Sequence, residues 1–454
     1  MSVRVAVCAD VGSTFTKVAA VDLDTGALLS TAAHRTTVES DVLHGLDAAI
    51  GQATASLPGG ADISTIRVCS SAGGGLRLAV VGYEQLVTAE AGHRVGLSAG
   101  ARVVHVAAGR LDTDALAGLR ADRPDVVLLV GGTDGGDAEV LRHNGGRLAA
   151  ARLRIPVVVA GNIDVRDEIT ERLTANGTPV VPTENVLPRI GELNPQPARA
   201  AIREVFLRHV IGGKGLSRGP RFASLVRGAT PDIVLTAVER LADDLVGDLV
   251  VVDVGGATSD VYSVLSPDPD AQTVPMREVA GTLWRSRTVE GDLGMRWSAT
   301  GVVQAAAAER LLVPGEKVTL GNAGRLRADD PSFLPVTETD RSAEARIAQL
   351  AATIALRRHA RGETRASAKD LRRVRLLIGS GGVLRHASRA AEVALRAVLA
   401  DHAGGWALPR AASVVVDLDY VLAPAGLLAV DYPKAAAALL RRHLAVGQDS
   451  DRRL

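Results

Sequence analysis

Asp10-Val-Gly-Ser-Thr-Phe-Thr-Lys-Val18 is answered, 243 residues later, by Asp253-Val-Gly-Gly-Ala-Thr-Ser-Asp-Val261. Each stretch follows an apolar run, turns on glycine and leads into a second apolar run. Each therefore reads as strand, tight turn, strand. One Asp-Val-Gly triplet could arise by chance, but two in the same frame indicate whole duplicated lobes. Around them, short Val/Leu/Ile runs predict strands over 3–8, 17–22, 65–69, 126–130, 156–159, 249–252, 260–264, 376–378 and 413–416. Longer Ala/Leu/Arg segments predict helices over 41–55, 138–150, 164–175, 198–210, 231–245, 343–359 and 434–443. Continuous apolar strands alternating with helices make this an α/β protein whose sheets are mostly buried. The boundaries fall as a first lobe over 1–85, an inserted α/β subdomain over 86–185, a Pro/Gly-jointed helical connector over 186–248, and a second lobe over 249–454.

Composition narrows the field. At roughly 100–200 residues per domain, 454 residues suggest two to four domains. Fifty-two basic and 51 acidic side chains leave a charge of +1, which argues against a nucleic-acid coat or a binder of anionic membranes. Three Trp, four Tyr and four Phe supply few stacking faces for single-stranded nucleic acid. Cys8 and Cys69 are too few for a disulfide framework or an iron–sulfur cluster, and each sits in an apolar run, as a small buried hydrophobe would. The ten histidines are scattered, without His-Glu-x-x-His or Cys-x-x-Cys, which disfavours a zinc enzyme. No apolar stretch reaches ~18 residues and no signal-peptide core precedes Asp10, so the expected setting is soluble and cytoplasmic.

A strand that ends in Asp and turns through Gly-Ser-Thr offers consecutive backbone N–H groups to an anion. Gly12 permits the turn, and Ser13, Thr14 and Thr16 add hydroxyls. Lys17 lies just beyond, one of only five lysines among the 52 basic residues. Taken alone, this loop is equally an ordinary hairpin with a surface lysine. The second loop, Asp253 to Thr258, has the same chemistry through Gly255, Gly256, Ala257 and Thr258, without the lysine. As a pair, the loops would clasp a polyphosphate, and Asp10 and Asp253 would suit a hydrated magnesium ion, which takes one or two carboxylates plus phosphate oxygens. Further on, Leu376-Leu-Ile-Gly-Ser-Gly-Gly382 is an apolar strand entering a glycine turn ahead of a helical stretch. Gly379, Ser380, Gly381 and Gly382 would let a flat group lie against the backbone.

This ordered trio resembles the phosphate-1, phosphate-2 and adenosine motifs of the actin/sugar-kinase/heat-shock ATPase superfamily. The resemblance implies two ribonuclease-H-like lobes, with ATP or ADP and magnesium in the cleft. It assigns Asp10, Gly12, Ser13, Thr14, Thr16 and Lys17 to the first phosphate loop, Asp253 to Thr258 to the second, and Gly379 to Gly382 to the adenosine support. Gly291 and Asp292 are carried over, more loosely, as flanking the nucleoside. Asp10, Asp253 and Lys17 become the catalytic set, with Asp10 and Asp253 on the metal and Asp260 a further candidate for orienting water.

Four longer strings give a narrower match: Cys69-Ser-Ser-Ala-Gly-Gly-Gly-Leu-Arg77, Val130-Gly-Gly-Thr-Asp-Gly-Gly136, Val186-Leu-Pro-Arg-Ile-Gly-Glu-Leu-Asn194 and Thr288-Val-Glu-Gly-Asp-Leu-Gly-Met-Arg296. They resemble the MutL/GlmL family of ATPase-like proteins associated with glutamate mutase and related adenosylcobalamin enzymes, which is distinct from the mismatch-repair protein that shares the name. The resemblance implies an ATP-driven accessory or reactivating role toward subunits of an adenosylcobalamin-dependent mutase. No Asp-x-His-x-x-Gly cobalamin string is present, so that cofactor would belong to the partner. The Gly131–Gly136 turn reads either as a third anion nest, with Thr133 and Asp134 as candidates, or as a tight strand–helix connection. Trp284, Met295 and Trp297 are expected to pack beneath the 288–296 segment. A sugar-type kinase and an actin-like scaffold are the competing readings. A 2-hydroxyacyl-CoA dehydratase activator would need cluster cysteines that are missing.

Overall fold

The computed structural model describes residues 2–245, 247–266, 284–362, 368–386 and 388–445. The described chain falls into two compact units, one formed mainly before residue 236 and one mainly after it. In the first, β1 (Arg4–Val11) turns back into β2 (Phe15–Asp22), followed by β3 (Leu28–Arg35) and, after the helix Val42–Ala55, β4 (Asp62–Ser70). The chain then builds a separate parallel sheet from β5 (Leu76–Gly82), β6 (Ala101–Ala108), β7 (Val126–Leu129), β8 (Val157–Val159) and β9 (Val180–Pro182). It returns to the first sheet as β10 (Val226–Ala229). The second unit repeats the scheme with β11 (Leu249–Val254), β12 (Ser259–Val264), β13 (Arg285–Glu290), β14 (Leu376–Ser380) and β15 (Ser413–Val416).

The duplication read from the two aspartate stretches extends to whole sheets. The first runs β3-β2-β1-β4-β10 and the second β13-β12-β11-β14-β15. In each, the leading hairpin is antiparallel, and the strands beyond it lie parallel to its first strand. This is the ribonuclease-H-like order, present twice. The separate parallel sheet, inserted in the chain between β4 and β10, runs β6-β5-β7-β8-β9, a doubly wound arrangement.

β1, β7 and β11 are buried almost throughout because helices or neighbouring sheets cover both faces, which explains their unbroken apolar runs. β3, an edge strand, is half-buried over Leu28–Ser30 and then alternates exposed with half-buried residues to Arg35, a pattern weaker than the apolar runs of β1, β7 and β11. Two further strands lie where other structure was expected. β5 begins the parallel sheet at Leu76, and β10 sits in the 186–248 stretch, which is otherwise helical and turned. β10 is only four residues long, Val-Arg-Gly-Ala, and carries one large apolar side chain. Among the described residues, no helix is long and apolar enough to cross a membrane.

Candidate functional site

Antiparallel pairing of β1 with β2 sets Asp10 opposite Lys17, whose Nζ lies 3.9 Å from Asp10 Oδ2. The turn is closed by the Gly12 N–H donating to the Phe15 carbonyl at 3.1 Å. A methyl group on Gly12 would stand 2.9 Å from that same oxygen, so the residue is required for close approach. The N–H groups of Ser13 and Thr14 form no backbone hydrogen bond among the described residues. Ser13 is exposed and Thr14 half-buried, which leaves the loop tip able to receive an anion. Thr16 differs from the sequence expectation. It is fully buried in β2, and its hydroxyl is bonded to that of Thr36 at 3.0 Å, so it serves the core and not the loop.

The second hairpin repeats this geometry at the atomic level. Gly255 N–H donates to the Thr258 carbonyl at 2.9 Å, and a methyl on Gly255 would lie 2.8 Å from that oxygen. The amides of Gly256 and Ala257 again form no backbone hydrogen bond among the described residues. The carbonyls, by contrast, are occupied: Gly255 accepts from Met295, and Gly256 accepts from Arg296 and Trp297. Asp260 takes the register position that Lys17 holds in the first hairpin, opposite Asp253. Its Oδ1 is gripped by Arg287 through Nε at 2.7 Å and through Nη2, and its Oδ2 accepts from the Thr258 hydroxyl at 3.1 Å. Arg287 is itself buried, so two facing carboxylates are accommodated by a guanidinium beside one of them.

The glycine turn after β14 belongs to this second hairpin. Ser380 is buried and pairs in register with Asp253. At Gly381, where φ is +100°, an added methyl would lie 2.2 Å from the Val254 carbonyl oxygen and 2.8 Å from Asp253 Oδ1. Gly379 packs so closely on Leu395 that a methyl would come within 2.5 Å of its Cδ1, whereas Gly382 faces open space. Gly291 and Asp292 lie in the turn that follows β13. Asp292 is held in two parallel contacts by Arg358 at 2.6 and 2.9 Å, and Arg358 also bonds Glu290 at 2.8 Å. These bonds keep the Asp292 carboxyl below the usual range, against partial burial.

Other candidates resolve into structural roles. Asp134 Oδ1 accepts from the Ile163 amide at 3.1 Å and from Asn185 Nδ2 at 2.8 Å, and Gly135 donates to Asp164. The Gly131–Gly136 turn is thus tied to the start of the helix Ile163–Ala175, as a tight strand–helix connection is. Met295 is buried as expected, but Trp297 is 61% exposed. Its neighbours Leu293 and Met295 take the inward positions, while its own backbone is held to Gly256. Cys8 and Cys69 are free and buried, and burial pushes the Cys8 thiol up to about 12.

Three contributors escaped the sequence reading. Thr230 donates to Asp10 Oδ1 at 2.5 Å, Arg287 holds Asp260 and Arg358 holds Asp292. Each reaches its carboxylate from a distant part of the chain, and no local motif marks it. Among the described residues no three His, Cys, Asp or Glu gather into a metal nest.

Residues 6–444 match the MutL protein family. Protein MutL of Clostridium tetanomorphum is 36% identical over 456 residues, covering 96% of this chain and 98% of that protein. Among solved structures, nucleotide-free acetone carboxylase is 14% identical with a TM-score of 0.38, over 95% of this chain and 70% of that one. The xylulose kinase of Bifidobacterium adolescentis is 12% identical with a TM-score of 0.34, over 97% and 93%. Component A of (R)-2-hydroxyglutaryl-CoA dehydratase from Acidaminococcus fermentans is 9% identical with a TM-score of 0.29, over 95% and 99%. With a family match from residue 6 to residue 444 and more than a third of positions shared with a full-length relative, the chain belongs to the MutL protein family.

Proposed function

We propose that this protein binds and hydrolyses ATP with magnesium, and that it does so as an accessory or reactivating factor for an adenosylcobalamin-dependent mutase such as glutamate mutase. The observation that carries the nucleotide reading is the repeated hairpin. Twice a strand ending in Asp-Val is followed by a glycine whose N–H closes the turn on the carbonyl three residues ahead, with two further amides left without a backbone partner among the described residues. Amides of this kind suit phosphate oxygens, because they carry fixed partial positive charge and need no reorganisation.

The donor set fits a hydrated magnesium ion, which prefers one or two carboxylates and leaves the remaining positions to phosphate and water. Asp10 and Asp253 would hold it, and it supplies positive charge against the phosphate oxygens when bound. The chain's own groups orient the reaction. Gly12, Ser13 and Thr14 with Gly255, Gly256, Ala257 and Thr258 receive the phosphates, and Lys17 steadies the β/γ-phosphates. Gly379 to Gly382 support the adenosine, with Gly291 and Asp292 beside it. Hydrolysis forms a bond from water oxygen to the γ-phosphorus as the bond to the ADP oxygen breaks, so positioning and charge compensation are the main tasks. The mutase as partner rests on the resemblance of the strings at 69–77, 130–136, 186–194 and 288–296 to mutase-associated proteins.

The test is phosphate release from ATP by the purified protein alone, with a candidate mutase, and with a panel of metabolites. Stimulation by the mutase is the expected result. Phosphorylation of a metabolite would instead favour a kinase, and tight binding without turnover a scaffold. Replacing Asp10 with Asn should reduce magnesium-dependent turnover by about 100-fold. Wild-type turnover in that variant would overturn the site assignment.

A further inference from the structure

We propose that Thr230 is a positioning residue for Asp10, fixing the carboxylate that the nucleotide reading places on the metal; the assignment rests on that reading. Asp10 is 4% exposed, and its two oxygens have different neighbours. Lys17 stands beside Oδ2 at 3.9 Å, while Oδ1 accepts the Thr230 hydroxyl at 2.5 Å and lies 3.6 Å from Cys69 Sγ. A threonine hydroxyl has one proton to donate, and here it goes to Asp10.

The topology explains how a residue 220 positions away arrives there. β4 lies parallel to β1 with Cys69 opposite Asp10, and β10 lies parallel to β4 with Gly228 opposite Cys69. Thr230 is the first residue beyond β10 and the first of the helix Thr230–Leu245, and from there its hydroxyl reaches Asp10. Cys69 remains a neutral thiol there, because burial and the neighbouring Asp10 charge both push it well up.

The helix start that carries Thr230 is anchored independently. Pro231 suits the first helical turn. Asp232, almost fully buried, is held by Arg199 at 3.3 Å and Arg203 at 2.5 Å. Gly100 abuts it so closely that a methyl would come within 2.8 Å of the Asp232 nitrogen. A hydroxyl mounted on so fixed a support holds its acceptor in one orientation, which metal binding by a carboxylate requires.

The experiment compares the full-length protein with Thr230→Val, which keeps the shape and removes the donor, and Thr230→Ser, which restores it. Thr230→Ala serves as a second deletion should the valine variant not fold. Thr353→Val is the control, since it deletes a buried hydroxyl bonded to the Gln349 carbonyl in the other unit. Binding of Mn²⁺ in the presence of ADP is read by electron paramagnetic resonance, alongside kcat and KM for ATP hydrolysis. Loss of one hydrogen bond to a charged group predicts about tenfold weaker Mn²⁺ binding and a comparable fall in kcat, with KM little changed. Thr230→Ser and Thr353→Val should stay close to wild type. Wild-type Mn²⁺ binding in Thr230→Val, or a serine variant as impaired as the valine, would overturn the assignment while leaving the nucleotide reading intact. Absence of any Mn²⁺·ADP binding by the wild type would overturn both.

Discussion

Replacing Gly381 with alanine tests whether the glycine turn after β14 is built around Asp253. The residue has φ +100°, where an L side chain costs about 2 kcal/mol. Its new methyl would stand 2.2 Å from the Val254 carbonyl oxygen and 2.8 Å from Asp253 Oδ1, both well inside van der Waals contact. Relief requires β14 and the end of β11 to separate, and overpacking of this kind adds about 1–3 kcal/mol. The sum, about 4 kcal/mol, corresponds to about three orders of magnitude in local opening. Because a two-unit chain need not unfold in one step, the assay is amide hydrogen exchange read peptide by peptide. Peptides over 249–264 and 376–386 should exchange far faster, up to the ceiling set by global unfolding, while those over 4–22 remain at wild-type rates. Gly321→Ala, at a helical position with open space around its added methyl, should leave all of these peptides unaffected. Acceleration of less than about threefold in Gly381→Ala would refute the reasoning, since that corresponds to under ~0.7 kcal/mol.

The second unit should also lose stability on mild acidification. His359 is fully buried between the hydroxyls of Thr288 and Ser263, each 2.8 Å away, and burial, aided by the charge of Lys369, holds its pKa well below 6.5. Below about pH 6.5 the unfolded chain takes up a proton that the folded one refuses, so the contribution is intact above that pH and declines as pH falls, by up to about 1.4 kcal/mol per pH unit. Denaturant unfolding at pH 7.5 and 5.5 should therefore show a smaller loss for His359→Gln; superimposable pH profiles would contradict this. Arg327, fully buried, donates to Glu344 at 2.6 Å and to the Ala323 and Asp340 carbonyls. Glu344 also accepts from Arg296 at 2.8 Å, so Arg327→Leu, which removes one of its two guanidinium partners, should cost about 1.5–3 kcal/mol. Denaturant unfolding of Arg327→Leu, Glu344→Leu and the double variant should show a double loss smaller than the sum of the two single losses, and strictly additive losses would refute the pairing.

Much of the scaffold was legible because its signals are local. The strand–turn–strand stretches at Asp10 and Asp253 each contain their apolar runs and the glycine that closes the turn, so their equivalence needed no third dimension. β3 and β10 were obscure for opposite reasons: one is a half-wet edge with mixed residues, the other is too short to show a period. Thr16 read as a loop hydroxyl because it follows the turn, but strand alternation sends it inward to Thr36 while Lys17 takes the other face. Trp297 read as core because tryptophan usually is. Its backbone bond to Gly256 and the prior claim of Leu293 and Met295 on the interior leave it outside.

The sequence by itself determined the duplication, the α/β class, the family and the positions of the two glycine turns, since all of these reside in contiguous strings whose chemistry is short-range. The tertiary structure alone decided which groups surround each carboxylate. Thr230 meets Asp10 because parallel strands β1, β4 and β10 end side by side, and Arg287 and Arg358 meet Asp260 and Asp292 through comparable long-range placements. Such contacts join residues up to 220 positions apart. The strand order that brings them together is set by the burial of whole sheets, and no spacing along the chain encodes it.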